Sequence, residues 1–254
     1  MKISLITATF NSGMTVRDTI ESVLKQTYSD IEYILVDGKS SDNTMDIIKE
    51  YEPAFEGRMK WISEPDCGLY DAMNKGIRMS SGDIVGIINS DDFYLENNIL
   101  SIINETFEDQ SIQAVFGDVR FVYPSNLDKT IRYYSSKRFT PKQFRFGFMP
   151  AHPTFFTYKK YFDEFGYYNT NYKIASDYEL LIRFLYKKNL KYKYLPIAFM
   201  KMRMGGKSTS GLKSNITLNK EIVTACKEND LYTNSLILSL KYFVKIWEFI
   251  LPKQ

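Results

Sequence analysis

The chain has 254 residues, a formal net charge of +3, two cysteines and one histidine, and 44% of its residues are hydrophobic. That length suits one large α/β domain, or a domain with a small appendage, and the apolar share supports a sizeable core. The weak charge excludes the dense basic stripe of a nucleic-acid binder, while Cys67, Cys226 and His152 are too few for a disulfide framework or a Cys/His zinc site, which points to a reducing compartment.

The N-terminal run MKISLITATFNS turns polar too soon for a secretory signal and reads as a first buried strand over Ile3–Ala8. No stretch approaches ~20 uninterrupted apolar residues, so no transmembrane helix is expected. Thr15 can cap a helix over 16–26 whose inner face carries Val16, Ile20, Val23 and Leu24. Ile31–Val36 is a second strand ending at Asp37-Gly38, and Ser41–Thr44 opens a helix carrying Met45, Ile47 and Ile48. Met59–Ile62 reads as a third strand, 70–79 as a helix, and Ile84–Ile88 as a fourth strand ending in Asn89-Ser90-Asp91-Asp92. This β-α-β-α rhythm predicts a mostly parallel central sheet covered by helices.

The second half is less regular. Ala114–Phe121 reads as a strand, Pro150–Phe156 as a rigid entry to another, and Asp177–Lys188 as an amphipathic helix carrying Leu180, Leu181, Phe184 and Leu185. Leu236–Leu251 is very apolar, with Asn234, Lys241, Lys245 and Glu248 on one helical stripe. That segment suits either a helix packed on the domain or one lying in a membrane interface, and its pattern leaves both open. Tyr and Phe, at 19 and 18 residues, read first as core and second as stacking platforms.

In open parallel sheets, ligands bind beyond the carboxyl ends of the strands. Three strands here end in polar clusters: Thr7–Asn11, Asp37–Asp42 and Asn89–Asp92. Strand alternation would put Asn89 and Asp91 on one face, and a carboxylate there can hold a hard divalent cation against phosphate oxygens. Asp37 stands where a carboxylate can accept from a ribose hydroxyl or a base N–H, or is a simple turn residue. The loop Ser63–Gly76 gathers acids, Tyr70, Asn74 and Lys75 at a helix start. Asp177 opens its helix, where the dipole and free N–H groups orient a carboxylate; by itself it reads as an ordinary cap or first-turn acid. His152 reads as a structural hydrogen-bonder, with a place in a metal shell or against an acceptor as the alternative. Arg203 and Lys207, flanking Gly205-Gly206, can offset charge from a closing loop. Gly206-Lys207-Ser208 is not a phosphate-cradling P-loop, since Lys201 occupies the place of the first glycine.

Four blocks carry a resemblance: Thr7-Ala8-Thr9-Phe10-Asn11, Val36–Thr44, Glu64–Gly76 and Asn89–Asp92, resumed at Ser176-Asp177-Tyr178-Glu179. Together, and in this order, they resemble the family 2 glycosyltransferases of GT-A fold, nearest the branch that builds bacterial exopolysaccharide and O-antigen. The resemblance implies a GT-A nucleotide-diphospho-sugar transferase domain over 1–215, with a nucleotide-sugar-binding half (1–110), an acceptor-binding half (111–215) and a C-terminal helical segment over 216–254. It implies an inverting, metal-dependent transfer from a UDP-sugar to a glycan or polyprenyl-diphosphate-linked acceptor in surface polysaccharide synthesis. Donor-binding roles fall to Thr7, Thr9, Asn11, Asp37, Asp66, Asn74, Lys75, Asn89, Ser90 and Lys207. Asp91 would hold Mn²⁺ or Mg²⁺, with Asp92 and His152 as further candidate ligands, and Asp177 would be the catalytic base. Asn89 departs from the family's Asp-X-Asp pattern and brings no charge. The expected location is cytoplasmic, at the inner face of the membrane with contact through 231–251, and no nucleic-acid partner is expected. The alternatives are a sugar-nucleotide nucleotidyltransferase, which would want an Arg- and Lys-bearing Gly-rich loop that Thr7–Gly13 lacks, and a non-catalytic glycan-binding protein on a transferase scaffold.

Overall fold

The computed structural model of the chain describes residues 1–205 and 212–239. Every residue of Ile3–Thr9 (β1) and of Ile31–Asp37 (β2) is buried, as expected of strands covered on both faces. Between them Val16–Leu24 (α1) buries Val16, Ile20 and Val23. Thr44–Tyr51 (α2), Met59–Ser63 (β3), Leu69–Met79 (α3) and Ile84–Ile87 (β4) follow. β1 pairs in parallel with β2 and β4, and β2 with β3.

The chain then builds the other half of the sheet from Phe93–Tyr94 (β5), Ile99–Phe107 (α4), Ala114–Tyr123 (β6), Asn126–Tyr134 (β7) and Phe156–Tyr158 (β8). Lys159–Phe165 (α5), Ser176–Leu181 (α6), Tyr192–Arg203 (β9) and Leu212–Glu228 (α7) complete it. The strand order is β3-β2-β1-β4-β8-β6-β9-β5, with β7 paired to β6. β8 runs antiparallel to both β4 and β6, and β9 runs parallel to β6. The carboxyl ends of β1, β2, β3, β4, β6 and β9 therefore lie along one edge.

Alternation on β1 sends Ile3 and Leu5 to one core cluster and Ile6 and Ala8 to the other. The first packs α1, α2 and α4; the second packs α3, α6 and α7 and holds Phe116, Phe144 and Phe184. Each such fully buried side chain contributes about 1.5–3 kcal/mol. Most aromatics serve this core, including the edge-on Phe116–Phe139 and Phe144–Tyr178 pairs.

The α/β reading is borne out, with differences of detail. The fourth strand stops at Ile87, so Asn89–Asp92 is a turn and strand alternation does not govern it. The helix expected to run through 188 is α-helical only to Leu181 and continues as a π turn over Ile182–Lys187. Beyond α7, Asn234 Oδ1 accepts the Ile237 N–H at 2.9 Å and caps a short helix from 235. Lys207, Lys241, Lys245 and Glu248 lie outside the described residues. Among the described residues no helix is long and apolar enough to cross a membrane.

Candidate active site

Thr9, Asp37 and Ser63 stand in register across β1, β2 and β3. Parallel pairing thus sets three polar side chains abreast at the carboxyl edge. Thr9 Oγ1 donates to Asp37 Oδ1 at 3.0 Å and Ser63 Oγ to Oδ2 at 2.7 Å. Ser40 adds its N–H to Oδ2 at 2.9 Å and its hydroxyl to Oδ1 at 2.5 Å. A carboxylate offers about four acceptor positions; Asp37 uses all of them and is 1% exposed. These bonds tie the loop after β2 to the strand ends. Thr7 is wholly buried, with its hydroxyl bonded to Ile88 O and Tyr33 Oη.

Asn11, with φ of 50°, accepts the Ser41 N–H on Oδ1 at 2.9 Å and pins that loop from above while staying exposed. Ser12 Oγ lies 2.9 Å from Ser90 Oγ, joining the first and fourth strand ends. Gly38 permits a close approach, because a Cβ there would meet Asp66 Oδ2 at 2.5 Å and Phe10 Cδ2 at 3.4 Å. Phe10 is 58% exposed. Only the fold leaves this aromatic ring open near Asp66, so spacing alone does not mark it as a ligand contact.

Asp66 Oδ1 accepts the Gly68 N–H at 2.8 Å, and Gly68 takes a φ of 113° that favours glycine. Lys75 bonds Glu64 Oε1 at 2.8 Å and Pro65 O at 3.1 Å, so it staples this loop instead of reaching toward a donor. Asn74 is 3% exposed and spends its amide on the backbone of Tyr168, donating to its carbonyl at 2.8 Å and accepting its N–H at 2.9 Å.

In the turn after β4, Asn89 Nδ2 donates to Asp92 Oδ2 at 2.8 Å. Asp92 is 1% exposed, and burial, reinforced by the neighbouring Asp91, holds its carboxyl well above the usual range. This bond ties Asn89 and the buried Asp92 together inside the turn that carries Asp91. Asp91 differs: it is half-buried, and among the described residues no other side chain bonds its carboxylate. Burial raises its pKa and Arg203 opposes the shift. Arg203 Nη1 donates to Asp91 O at 2.5 Å while Nη2 bonds Asp18, so this guanidinium braces the turn from β9. Among the described residues no three His, Cys, Asp or Glu side chains converge on a metal position. One free carboxylate fits a hard cation that takes its remaining oxygens from phosphates and water. His152 belongs elsewhere.

Asp177 opens α6 and is half-buried. Its Oδ1 accepts the Tyr178 N–H at 2.8 Å and faces Tyr70 Oη at 3.5 Å. Burial raises its pKa, against the pull of nearby His152. His152 Nε2 lies 2.6 Å from Tyr168 Oη, and burial pushes the imidazole below its usual range, with Asp177 opposing. His152 is thus a buried neighbour of Asp177. Tyr70 stacks on Tyr168 at 5.8 Å and donates to Ile174 O at 2.5 Å. Since Tyr70 begins α3 behind the Asp66 loop, it links Asp177 to the carboxyl edge of the sheet.

Two further carboxylates fix this end of α6. Glu221 of α7 accepts the N–H groups of Lys173, Ile174 and Ala175 at 2.8–2.9 Å. Glu179 holds Arg183, whose Nη1 donates to Phe165 O and Gly166 O at 2.6 Å and whose Nη2 donates to Tyr167 O at 2.7 Å. Arg183 and Glu221 had no signal in the sequence, because each acts on backbone groups distant in the chain, and Tyr168 had none because it meets His152 and Asn74 only in the fold.

The family model for Glycosyl transferase family 2 matches residues 4–165. A PGL/p-HBAD biosynthesis glycosyltransferase of Mycobacterium bovis is 27% identical over 221 residues, covering 87% of this chain and 82% of the relative. The crystal structure of S. aureus TarS 1–349 in complex with UDP-GlcNAc superposes with a TM-score of 0.70 at 17% identity, covering 91% of this chain and 68% of that one. A mannosyltransferase of Pyrobaculum calidifontis in complex with GDP-Man and Mn²⁺ gives 0.63 at 16% identity, over 89% and 63%. This chain spans 41% of a longer TarS chain. At such identities the structural likeness is one of fold.

Proposed function

The chain belongs to glycosyl transferase family 2, and from that premise we propose that it moves a sugar from a UDP-sugar to a glycan or polyprenyl-diphosphate-linked acceptor, with inversion at the anomeric carbon. The observation that supports the reading is two half-buried carboxylates: Asp91 in the turn after β4, free of side-chain partners among the described residues, and Asp177 at the start of α6, 3.5 Å from Tyr70 Oη. Asp177 takes the proton of the acceptor hydroxyl, whose oxygen attacks the anomeric carbon as the bond to the diphosphate breaks. Its raised pKa makes it a stronger base than an ordinary aspartate, and the Tyr178 N–H and Tyr70 hydroxyl aim it. Held by Asp91 and the donor's own phosphates, Mn²⁺ or Mg²⁺ would offset the charge growing on the departing nucleoside diphosphate.

Thr9, Asp37 and Ser40 shape the loop against which the nucleoside rests, and Phe10, Asn11, Asp66 and Ser90 line its open side. The ring of Phe10 suits stacking with a base. The UDP-GlcNAc complex of TarS supports UDP as the nucleotide, and the Mn²⁺ complex of the mannosyltransferase supports a divalent cation. The mycobacterial relative, named for PGL/p-HBAD biosynthesis, supports a role in surface glycan or O-antigen assembly. In this reading residues 1–110 hold the donor, 111–215 hold the acceptor, and the membrane is met through 231–251.

The test is turnover of purified protein against a panel of nucleotide sugars, with Mn²⁺ and with chelator. One UDP-sugar consumed only with metal supports the reading. Release of pyrophosphate from a nucleoside triphosphate, or undiminished transfer in chelator, contradicts it.

A further inference from the structure

The charge of this chain is unevenly spread. From residue 129 through 162 there is no Asp or Glu, while Lys129, Arg132, Lys137, Arg138, Lys142 and Arg145 fall within the first half of that span. Lys137, Arg138 and Lys142 are exposed and form no ion pair among the described residues. Thr140 caps a 3₁₀ helix over Pro141–Phe146. Residues three apart eclipse in such a helix, so Lys142 and Arg145 share one side, while Phe144 is fully buried on another.

A second surface joins this one. Thr233 Oγ1 donates to Arg145 O at 2.5 Å, fixing the segment after α7 against the basic connector. That segment carries Tyr232 at 69% and Leu236 at 80% exposure, while Leu238 turns inward at 1%. Asn234 caps the helix bearing Leu236, which makes its outward display a built feature. Beside it, a groove of about 430 Å³ is lined by Val223, Lys227, Asp230, Leu231, Tyr232 and Thr233. The acid there, Asp230, is paired with Lys187 at 3.4 Å.

We propose that the basic connector 137–145 and the exposed Tyr232 and Leu236 form one docking face for an anionic bilayer surface. Long cationic side chains at headgroup depth, flanked by one aromatic and one aliphatic side chain, are the composition such a surface selects. The positive charge excludes a neutral or basic surface as the favoured occupant, and the exposed Tyr232 and Leu236 beside it favour a bilayer over an acidic protein surface. The connector is also tied to the helix that bears the proposed base: Tyr178, next to Asp177 in sequence, donates its hydroxyl to Phe144 O in the middle of the connector. A bilayer seated there brings a lipid-borne acceptor toward Asp177. In that respect the inference rests on the proposed acceptor class, and it shifts the membrane contact from the C-terminal segment alone to a two-part face.

Co-sedimentation of the full chain with phosphatidylcholine vesicles, with and without phosphatidylglycerol, tests this without donor or acceptor. The chain is expected to bind only the anionic vesicles and to be released by salt. Lys137→Gln/Arg138→Gln/Lys142→Gln should weaken partitioning by roughly a hundredfold. Tyr232→Ser/Leu236→Ser should weaken it less, with its salt dependence kept. An unchanged melting temperature shows that each variant is folded, and donor hydrolysis, measured separately, reports on the transferase reading. Absence of binding to anionic vesicles, equal binding by the triple variant, or binding to heparin but not to vesicles would each overturn the proposal.

Discussion

The two halves of the sheet hold their functional side chains by different means. In the parallel half, strand ends in register bond one another: Thr9 and Ser63 both donate to Asp37, and Asn89 donates to Asp92. Support is local and redundant, and the buried carboxylates serve the scaffold while Asp91 stays open. In the other half, Asp177 sits on a short helix whose entry is fixed by groups far away in sequence, namely Glu221, Arg183, Asn74 and Tyr70. Damage in the first half should therefore stay small and local. Damage in the second should reach the reacting group.

The sharpest way to break this comparison is Asp177→Asn. Transfer should fall by about 10²–10⁴-fold in kcat, with donor affinity kept; unchanged kcat would remove the base. In the parent protein, kcat should fall on acidification at a higher pH than an ordinary carboxylate near about 3.9 would give, because the base must be ionised and its pKa is raised. The sign for stability is the reverse. A raised folded pKa means that stability is full below the unfolded pKa and is lost as pH rises through the folded one. Asp177→Asn should accordingly raise the melting temperature at neutral pH and lose that gain in acid.

Glu221→Ala should come next. It unpairs three N–H groups before α6, so kcat should drop by about tenfold or more while donor KM holds, and stability should fall by about 1–3 kcal/mol. An equal rise in donor KM would mean that the two halves are not separately supported. Thr9→Val should have the smallest effect, because Asp37 keeps three of its four donors. A loss of about 1 kcal/mol is expected by thermal melting, with activity nearly unchanged.

The same contrast decides what was legible in the sequence. Repeated buried strands and amphipathic helices in residues 1–95 announce a parallel sheet and its ligand edge, and the structure bears out that architecture. Spacing could not say which polar residues at the edge face outward. Asp37 ends a strand and is enclosed by four donors, whereas Asp91 sits in the turn after one and has no side-chain partner among the described residues. Alternation does not reach Asn89, because the strand stops at Ile87 and a turn follows. Arg183 and Glu221 act across long sequence separations on backbone atoms, and Tyr168 meets His152 only in the fold, which leaves no periodic trace.

The central claim is a division of labour between Asp91, which holds the donor diphosphate, and Asp177, which handles the acceptor proton. Calorimetric titration of UDP into the parent chain, Asp91→Asn and Asp177→Asn, with Mn²⁺ and with chelator, tests it most directly. The expected result is Mn²⁺-dependent binding that Asp177→Asn retains and that Asp91→Asn weakens by on the order of a hundredfold. Full-strength binding by Asp91→Asn, or loss of binding in Asp177→Asn, would contradict it.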